Sequence, residues 1–417
     1  MFSEEMYALG TKRSCIRELF EYGLKQKQIV GVGNVYDFSL GNPSVPAPAS
    51  VNESIRTLLD TEDSLTLHGY SSAAGFADVK EAVARELAER FDFPVKPEEL
   101  FFTCGAAPAL TASIRALAVP DAEIIVIYPC FPEYKVFIEN NGARMVAVPA
   151  DEEHFQIRFD ELEKCINENT QAVIINSPNN PSGVIYSLET LQKLSALLTK
   201  KSREYGKTIY IISDEPYREL VYTGQPVPFV PSVYKNTIVC YSYSKSLSLP
   251  GERIGYIYIS RDADDGAAIL AAAGGAARAA GHVCPPSLMQ KVIALNTYTR
   301  PDLESYARNK DLLYDELTAY GYRCAKPEGA FYLFVKAPNG DAMEFSNRAK
   351  RKNLLVVPGD DFGCPSFFRL CTCVSYEMIQ RSLPTFELLM EEYGGNSRDA
   401  LIKDTHPNGS ISWEHDL

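Results

Sequence analysis

A chain of 417 residues, 46% of them hydrophobic, can bury a large core and exceeds what one domain usually needs, so two domains are expected. The formal charge of −13 excludes nucleic acid and an anionic membrane as principal partners, while leaving room for a local basic pocket that takes a small anion. The opening MFSEEMYALGTKRSC lacks the apolar core of a signal peptide and no segment approaches the apolar length of a membrane span, so a cytoplasmic location is expected.

In VKEAVARELAERF apolar positions recur at helical spacing and predict a helix over 79–91. Between about 100 and 260, seven β-branched or aromatic runs alternate with helical patterns: LFFTC, EIIVIY, RMVAVP, QAVIIN, TIYIIS, TIVCYS and IGYIYI. This alternation predicts an α/β fold with a largely parallel sheet covered by helices, one of them LETLQKLSALLTKKSREY over 188–205. Near-continuous apolar strands such as QAVIIN belong where both sheet faces are buried, and ligands then gather at the carboxyl ends of the strands.

The alanine-rich GAAILAAAGGAARAAGH, residues 266–282, reads as a helix whose small residues allow close packing, although Gly274 and Gly275 weaken it. It precedes VCPPSLMQKVIALNTYTR, whose two prolines suit the start of a long helix joining two domains. Beyond 300, a helix, the runs AFYLFVKA, NLLVVP and FFRLCTC, and a final helix predict a smaller α+β domain. The divisions expected are 45–285 for the larger domain, 1–44 with 286–395 for the smaller, and 396–417 for a polar, loosely packed tail that holds Trp413. The ten cysteines form no CxxC pair and no histidine stands at a metal-ligand spacing from them, so reduced thiols and no metal are expected.

Five motifs fall at the ends of these strands. After LFFTC, Gly105-Ala106-Ala107 opens a helix whose free N–H groups and dipole suit a phosphate. EIIVIYPCFPEY puts Phe131 and Tyr134 just past a strand, where an aromatic face can stack on a planar ring. In NSPNNPSGVIY, Asn180 lies in a proline-rich turn and can donate its amide to a phenolate oxygen. Asp214, in ISDEPYREL, follows an apolar strand, where a buried carboxylate needs a cation such as a protonated pyridine nitrogen; Tyr217, three residues on, can reach the same ring oxygen as Asn180. In YSYSKSLSLPGERIGY, Lys245 can form a Schiff base with an aldehyde, while Ser242, Ser244 and Arg253 supply donors and charge for a phosphate. Together these describe a seat for pyridoxal 5'-phosphate.

About residues 30 to 390 resemble the pyridoxal-phosphate enzymes of fold type I, specifically the class I/II aminotransferases. The landmarks, in the family's order, are LGNPSVPAP, GYSSAAGF, TCGAAPAL, YPCFPEY, NNPSG, SDEPYREL, SYSKSLSLPGERIG, EGAFYLF and the segment around Arg369. The resemblance implies a three-layer large domain with a mostly parallel seven-stranded sheet plus a smaller α+β domain. It makes Lys245 the lysine that binds the cofactor, Asp214 the partner of the pyridine nitrogen, and Asn180 and Tyr217 the contacts of the phenolic oxygen. Gly105, Ala106, Ala107, Ser242, Ser244 and Arg253 would hold the phosphate, with Phe131 stacked on the ring. Arg369 would clamp the substrate α-carboxylate, with Gly41 beside it. Tyr70 matches a tyrosine that reaches the phosphate of the neighbouring subunit, which implies a homodimer with shared sites.

The activity implied is ping-pong transfer of an amino group from an L-amino acid to a 2-oxo acid. The alternative is a carbon-sulfur β-lyase, which needs the same lysine, aspartate and arginine. The family frequently has asparagine where this chain has Cys284, and no equivalent of the second arginine of aspartate-specific members is evident; helical phase around the alanine run does not place Arg278.

Overall fold

The computed structural model describes residues 1–11 and 14–394. The tail expected over 396–417 lies outside the described residues. All seven predicted runs are strands of one sheet: β1 Leu100–Thr103, β2 Glu123–Tyr128, β3 Arg144–Pro149, β4 Thr170–Asn176, β5 Tyr210–Asp214, β6 Thr237–Ser242 and β7 Gly255–Ile259. Their order across the sheet is β1-β7-β6-β5-β4-β2-β3, and only β7 runs antiparallel to its neighbours.

Alternate residues of each strand enter different cores, as the two-residue period of a strand requires. Ile124, Val126, Ile174 and Ile212 pack on one face, while Ile125, Ile127, Val173 and Ile211 pack on the other. With both faces covered, no polar alternation survives in these strands, and their continuous apolar runs follow from that burial.

The covering helices carry their own start and stop signals. Counting in chain order the helices that matter below, α1 is Cys15–Val30, α2 Ala77–Phe91, α3 Ala106–Leu117 and α4 Leu188–Tyr205. Helix α4 begins where the Ser187 side chain accepts from Thr190 N and ends at Gly206, whose φ of 63° lies in the left-handed region. Its apolar stripe, Leu191, Leu194 and Leu198, is buried against the sheet. The alanine-rich segment is helix α5, Gly266–Ala279, packed along α3. A Cβ on Gly274 would lie 3.0 Å from the ring of Phe101, so the glycine does permit close approach there.

The long joining helix expected after Pro286 is instead two helices, α6 Ser287–Leu295 and α7 Leu303–Ala319. Asn296 ends the first by turning its amide onto Val292 O at 2.8 Å and Ser54 Oγ at 2.9 Å. Pro301 has no N–H to continue the ladder, and Asp302 caps the second helix by accepting from Glu304 N. Residues expected in the smaller domain from 286 onward include α6, yet Met289, Val292 and Ile293 sit in the core beneath the large sheet with Val51, Val83 and Phe102.

A second sheet has four strands, β8 Arg323–Cys324, β9 Tyr332–Lys336, β10 Val357–Pro358 and β11 Phe367–Cys371, in the order β10-β11-β9-β8. Its core takes Phe38 from near the N-terminus together with Leu333, Phe345, Phe368, Ile379 and Phe386, the last two from α8, Tyr376–Glu392. A short parallel pairing of Tyr36 and Asp37 with Leu354 and Leu355 ties the N-terminal segment to this unit.

Candidate active site

The parallel strands end side by side, and their last residues carry the polar groups. Asn176 of β4 stands in register with Asp214 of β5, and Ser242 closes β6. The Asn176 amide donates to Asp214 O at 2.9 Å, while its Oδ1 accepts from Asn180 N at 2.7 Å, so one side chain fixes the position of both neighbours.

Asp214 is buried, and only one of its oxygens has a partner. Oδ2 accepts from the Tyr134 hydroxyl at 2.5 Å, whereas Oδ1 has none among the described residues. Loss of hydration raises its pKa to about 7, against the lowering effect of the Tyr134 hydrogen bond. Tyr134 therefore serves as a support of the carboxylate, its ring standing edge-on to that of Phe131 with centroids 5.7 Å apart. Phe131 itself is half-buried at the cavity wall.

The second unit contributes Arg369. Its register partner across the β9–β11 pair is Phe334, and its guanidinium reaches out of that sheet toward the first. Nη1 donates to Asn180 Oδ1 at 3.1 Å and Nη2 to Ser39 O at 2.7 Å, while the buried Nε has no partner among the described residues. With Oδ1 of Asn180 engaged by a cation, its amide nitrogen is left as a donor. Two residues beyond Ser39, the carbonyl of Gly41 accepts from Lys245 Nζ at 2.8 Å. Burial lowers the Lys245 pKa, so a neutral, nucleophilic amine costs less here than in water.

The residues predicted to hold a phosphate are also brought together. Gly105, at φ 95°, caps the N-terminus of α3 ahead of Ala106 and Ala107, and a Cβ there would lie 2.8 Å from an Arg253 nitrogen. The Ser242 and Ser244 hydroxyls are 2.7 Å apart, and Arg253 Nη1 is steadied by Pro250 O at 2.9 Å.

These groups surround one cavity of about 300 Å³. Gly41, Ala106, Ala107, Phe131, Asn180, Asp214, Tyr217, Ser242, Ser244, Lys245, Arg253 and Arg369 all line it, with Gly105 directly behind Arg253. Tyr70 is the predicted residue not brought to it: the side chain is 94% exposed. Arg278 is exposed on α5 and does not line the cavity. Sequence reasoning missed Asn176 and Tyr332, and the support that Tyr134 gives to Asp214. Tyr332 lies within EGAFYLF, but only the meeting of the two sheets sets its hydroxyl 2.8 Å from that of Tyr217.

Residues 33–385 match the family model for aminotransferase class I and II. The aspartate aminotransferase of Thermotoga maritima is 30% identical over 378 residues, covering 89% of this chain and 96% of the relative. The aspartate/prephenate aminotransferase of Thermus thermophilus is 28% identical, covering 83% of this chain and 88% of that protein. Among solved structures, an amino transferase from Eubacterium rectale superposes with a TM-score of 0.93 at 54% identity, covering 94% of this chain and 99% of the other. Thermus thermophilus aspartate aminotransferase with maleate superposes at 0.82 and 26% identity, covering 93% and 100%.

The fold and the cavity define a fold type I pyridoxal-phosphate enzyme. The chain belongs to the class I and II aminotransferases. It uses pyridoxal 5'-phosphate to move an amino group from an amino acid to a 2-oxo acid, and its relatives favour that reaction over carbon-sulfur elimination. The residues present fit the cofactor: Asp214 Oδ1 is a buried oxygen with no hydrogen-bond partner among the described residues, and a single Cβ on Gly105 would run into Arg253.

Proposed function

We propose that each predicted residue acts at the cofactor as its position permits, and the observation that carries the reading is Asp214 Oδ1, buried with no partner among the described residues. When bound, pyridoxal phosphate supplies an aldehyde that takes the substrate amine and a ring that withdraws electrons from the substrate Cα. Asp214 keeps the ring nitrogen protonated, since an ion pair removes the cost of its own buried charge. Asn180 and Tyr217 donate to the ring oxygen, and Phe131 covers one ring face. Gly105, Ala106, Ala107, Ser242, Ser244 and Arg253 hold the phosphate.

Arg369 receives the substrate α-carboxylate through its Nε, which has no partner among the described residues, and the adjoining Nη2, next to Gly41. Lys245 binds the cofactor at rest. Once free, its Nζ would serve as the base that takes the proton from the substrate Cα and as the acid that gives a proton back. Tyr70 reaches the phosphate of a second subunit, a role supported by its exposure here. The working form is therefore a homodimer with shared sites. The ten free cysteines support a cytoplasmic setting. We divide the chain into a large domain from 45 to the end of α6, and a small one formed by 1–44 with the remainder to 395.

The test is spectral. Purified protein is mixed with single amino acids, and the visible band of the lysine-bound cofactor is followed as it converts to the amine form. Conversion by at least one L-amino acid, reversed by a 2-oxo acid, is the expected result. Release of pyruvate and ammonia from cysteine or cystathionine without an acceptor would overturn it.

A further inference from the structure

Tyr332 has no role in the scheme above, yet its hydroxyl stands where three functional groups meet. It is buried on β9, and the antiparallel register with β11 puts it on the same sheet face as Arg369. The Arg369 guanidinium carbon lies 4.8 Å from the centre of its ring. The hydroxyl is 2.8 Å from that of Tyr217, with the two rings nearly perpendicular at 83°. It also occupies the space a side chain at 41 would need: a Cβ on Gly41 would lie 2.3 Å from the Tyr332 oxygen. Gly41 is thus glycine for a reason that sequence reasoning did not supply.

Two phenols joined by one hydrogen bond have two hydrogens between them, and one must point elsewhere. If Tyr217 donates to Tyr332, the Tyr217 oxygen presents only lone pairs to the cavity. If Tyr332 donates, Tyr217 keeps its own hydrogen for an acceptor in the cavity, and accepting one bond strengthens the bond it gives. A cation over the Tyr332 ring favours the second arrangement, because it draws electron density from that phenol and makes it the better donor.

We propose that Tyr332 is a positioning residue: its hydroxyl donates to Tyr217 and so aims the Tyr217 hydrogen at the cofactor's ring oxygen. This rests on the reading that Tyr217 contacts that oxygen. The charged and titratable groups around the pair are Asp214, on the Tyr217 side, Arg369, Cys371 and Cys373 on and just beyond β11, and Lys245 over the ring of Phe331.

The experiment titrates the visible absorbance of the holoenzyme with pH in the wild type, Tyr332→Phe, Tyr217→Phe and the double variant. A donor at the ring oxygen favours the deprotonated form of the lysine-bound cofactor, so losing it raises the midpoint. Tyr217→Phe should raise it by at least about 0.5 pH unit, Tyr332→Phe should raise it in the same direction by less, and the double variant should match Tyr217→Phe alone. No shift in Tyr217→Phe removes the reading on which the proposal rests, and the proposal with it. A shift in Tyr217→Phe with none in Tyr332→Phe, or shifts that add in the double variant, overturns the proposal alone. Should Tyr332→Phe fail to fold, Gly41→Ala displaces the same hydroxyl and must raise the midpoint likewise; an unchanged midpoint there overturns the proposal.

Discussion

Tyr134 donates a 2.5 Å hydrogen bond to Asp214 Oδ2, and the second oxygen of that carboxylate has no partner among the described residues. Half of the carboxylate is thus fixed in place by the protein, and the other half is buried without a bond among the described residues. Without the cofactor the negative charge is poorly supported, and its pKa rises to about 7 through burial.

The sign of the stability effect follows from that rise. A carboxyl whose folded pKa exceeds its unfolded value of 3.8 contributes stability below that value and loses it as pH climbs through about 7. Cofactor-free protein should lose on the order of 4 kcal/mol from this group between pH 4 and pH 8. In Asp214→Asn the loss should vanish. Denaturant unfolding of both cofactor-free proteins across that range measures it, and parallel profiles would contradict the assignment.

Lys245→Ala should lower turnover by at least about 10³-fold and remove the visible band of the lysine-bound cofactor. Steady-state kinetics and an absorbance spectrum check both. A variant with full activity would refute the role given to Lys245.

Arg369→Lys keeps the charge but loses the planar fork that holds Asn180 and Ser39 together. We expect kcat/KM for the amino donor to fall roughly 10²-fold, mainly through KM, because one ammonium cannot make the same set of bonds. An unchanged KM would place the substrate carboxylate elsewhere.

Gly105→Ala brings a Cβ to 2.8 Å from Arg253 and forces alanine to φ 95°. Backbone strain of about 1–3 kcal/mol and displacement of Arg253 should together weaken cofactor binding at least about 10-fold. Titration of the cofactor-free variant gives the dissociation constant, and wild-type affinity would remove Gly105 from the proposed phosphate seat.

Tyr70 supplies a test of the shared site. Lys245→Ala and Tyr70→Ala homodimers should each be impaired. Mixing them after subunit exchange creates hybrids in which one site carries both lesions and the other neither. Activity above the sum of the two parents is expected, whereas strict additivity would place Tyr70 outside the neighbouring site.

The seven strands were legible because burial on both faces removes polar residues from them, and helix α4 was legible because its leucines recur at helical spacing. Asp214 and Lys245 were legible for a related reason: a charged residue directly after an apolar strand is costly to bury unless a partner or a reaction requires it. Tyr332 was not, since its hydroxyl acquires meaning only when β9 meets the loop after β5, 115 residues away in the chain. The break between α6 and α7 was missed because the side-chain bond from Asn296 to Ser54 is a tertiary contact, and helical periodicity carries no trace of it. Exposure of Tyr70 likewise follows from the fold, not from its neighbours in sequence.

The last strand of the large sheet ends at Ile259, whereas Arg369 arrives on β11. During synthesis every residue assigned to the phosphate of the same subunit therefore leaves the ribosome before the one assigned to the substrate. At ordinary elongation rates the interval is roughly ten seconds. A nascent chain thus carries its own share of the proposed phosphate seat well before it carries Arg369.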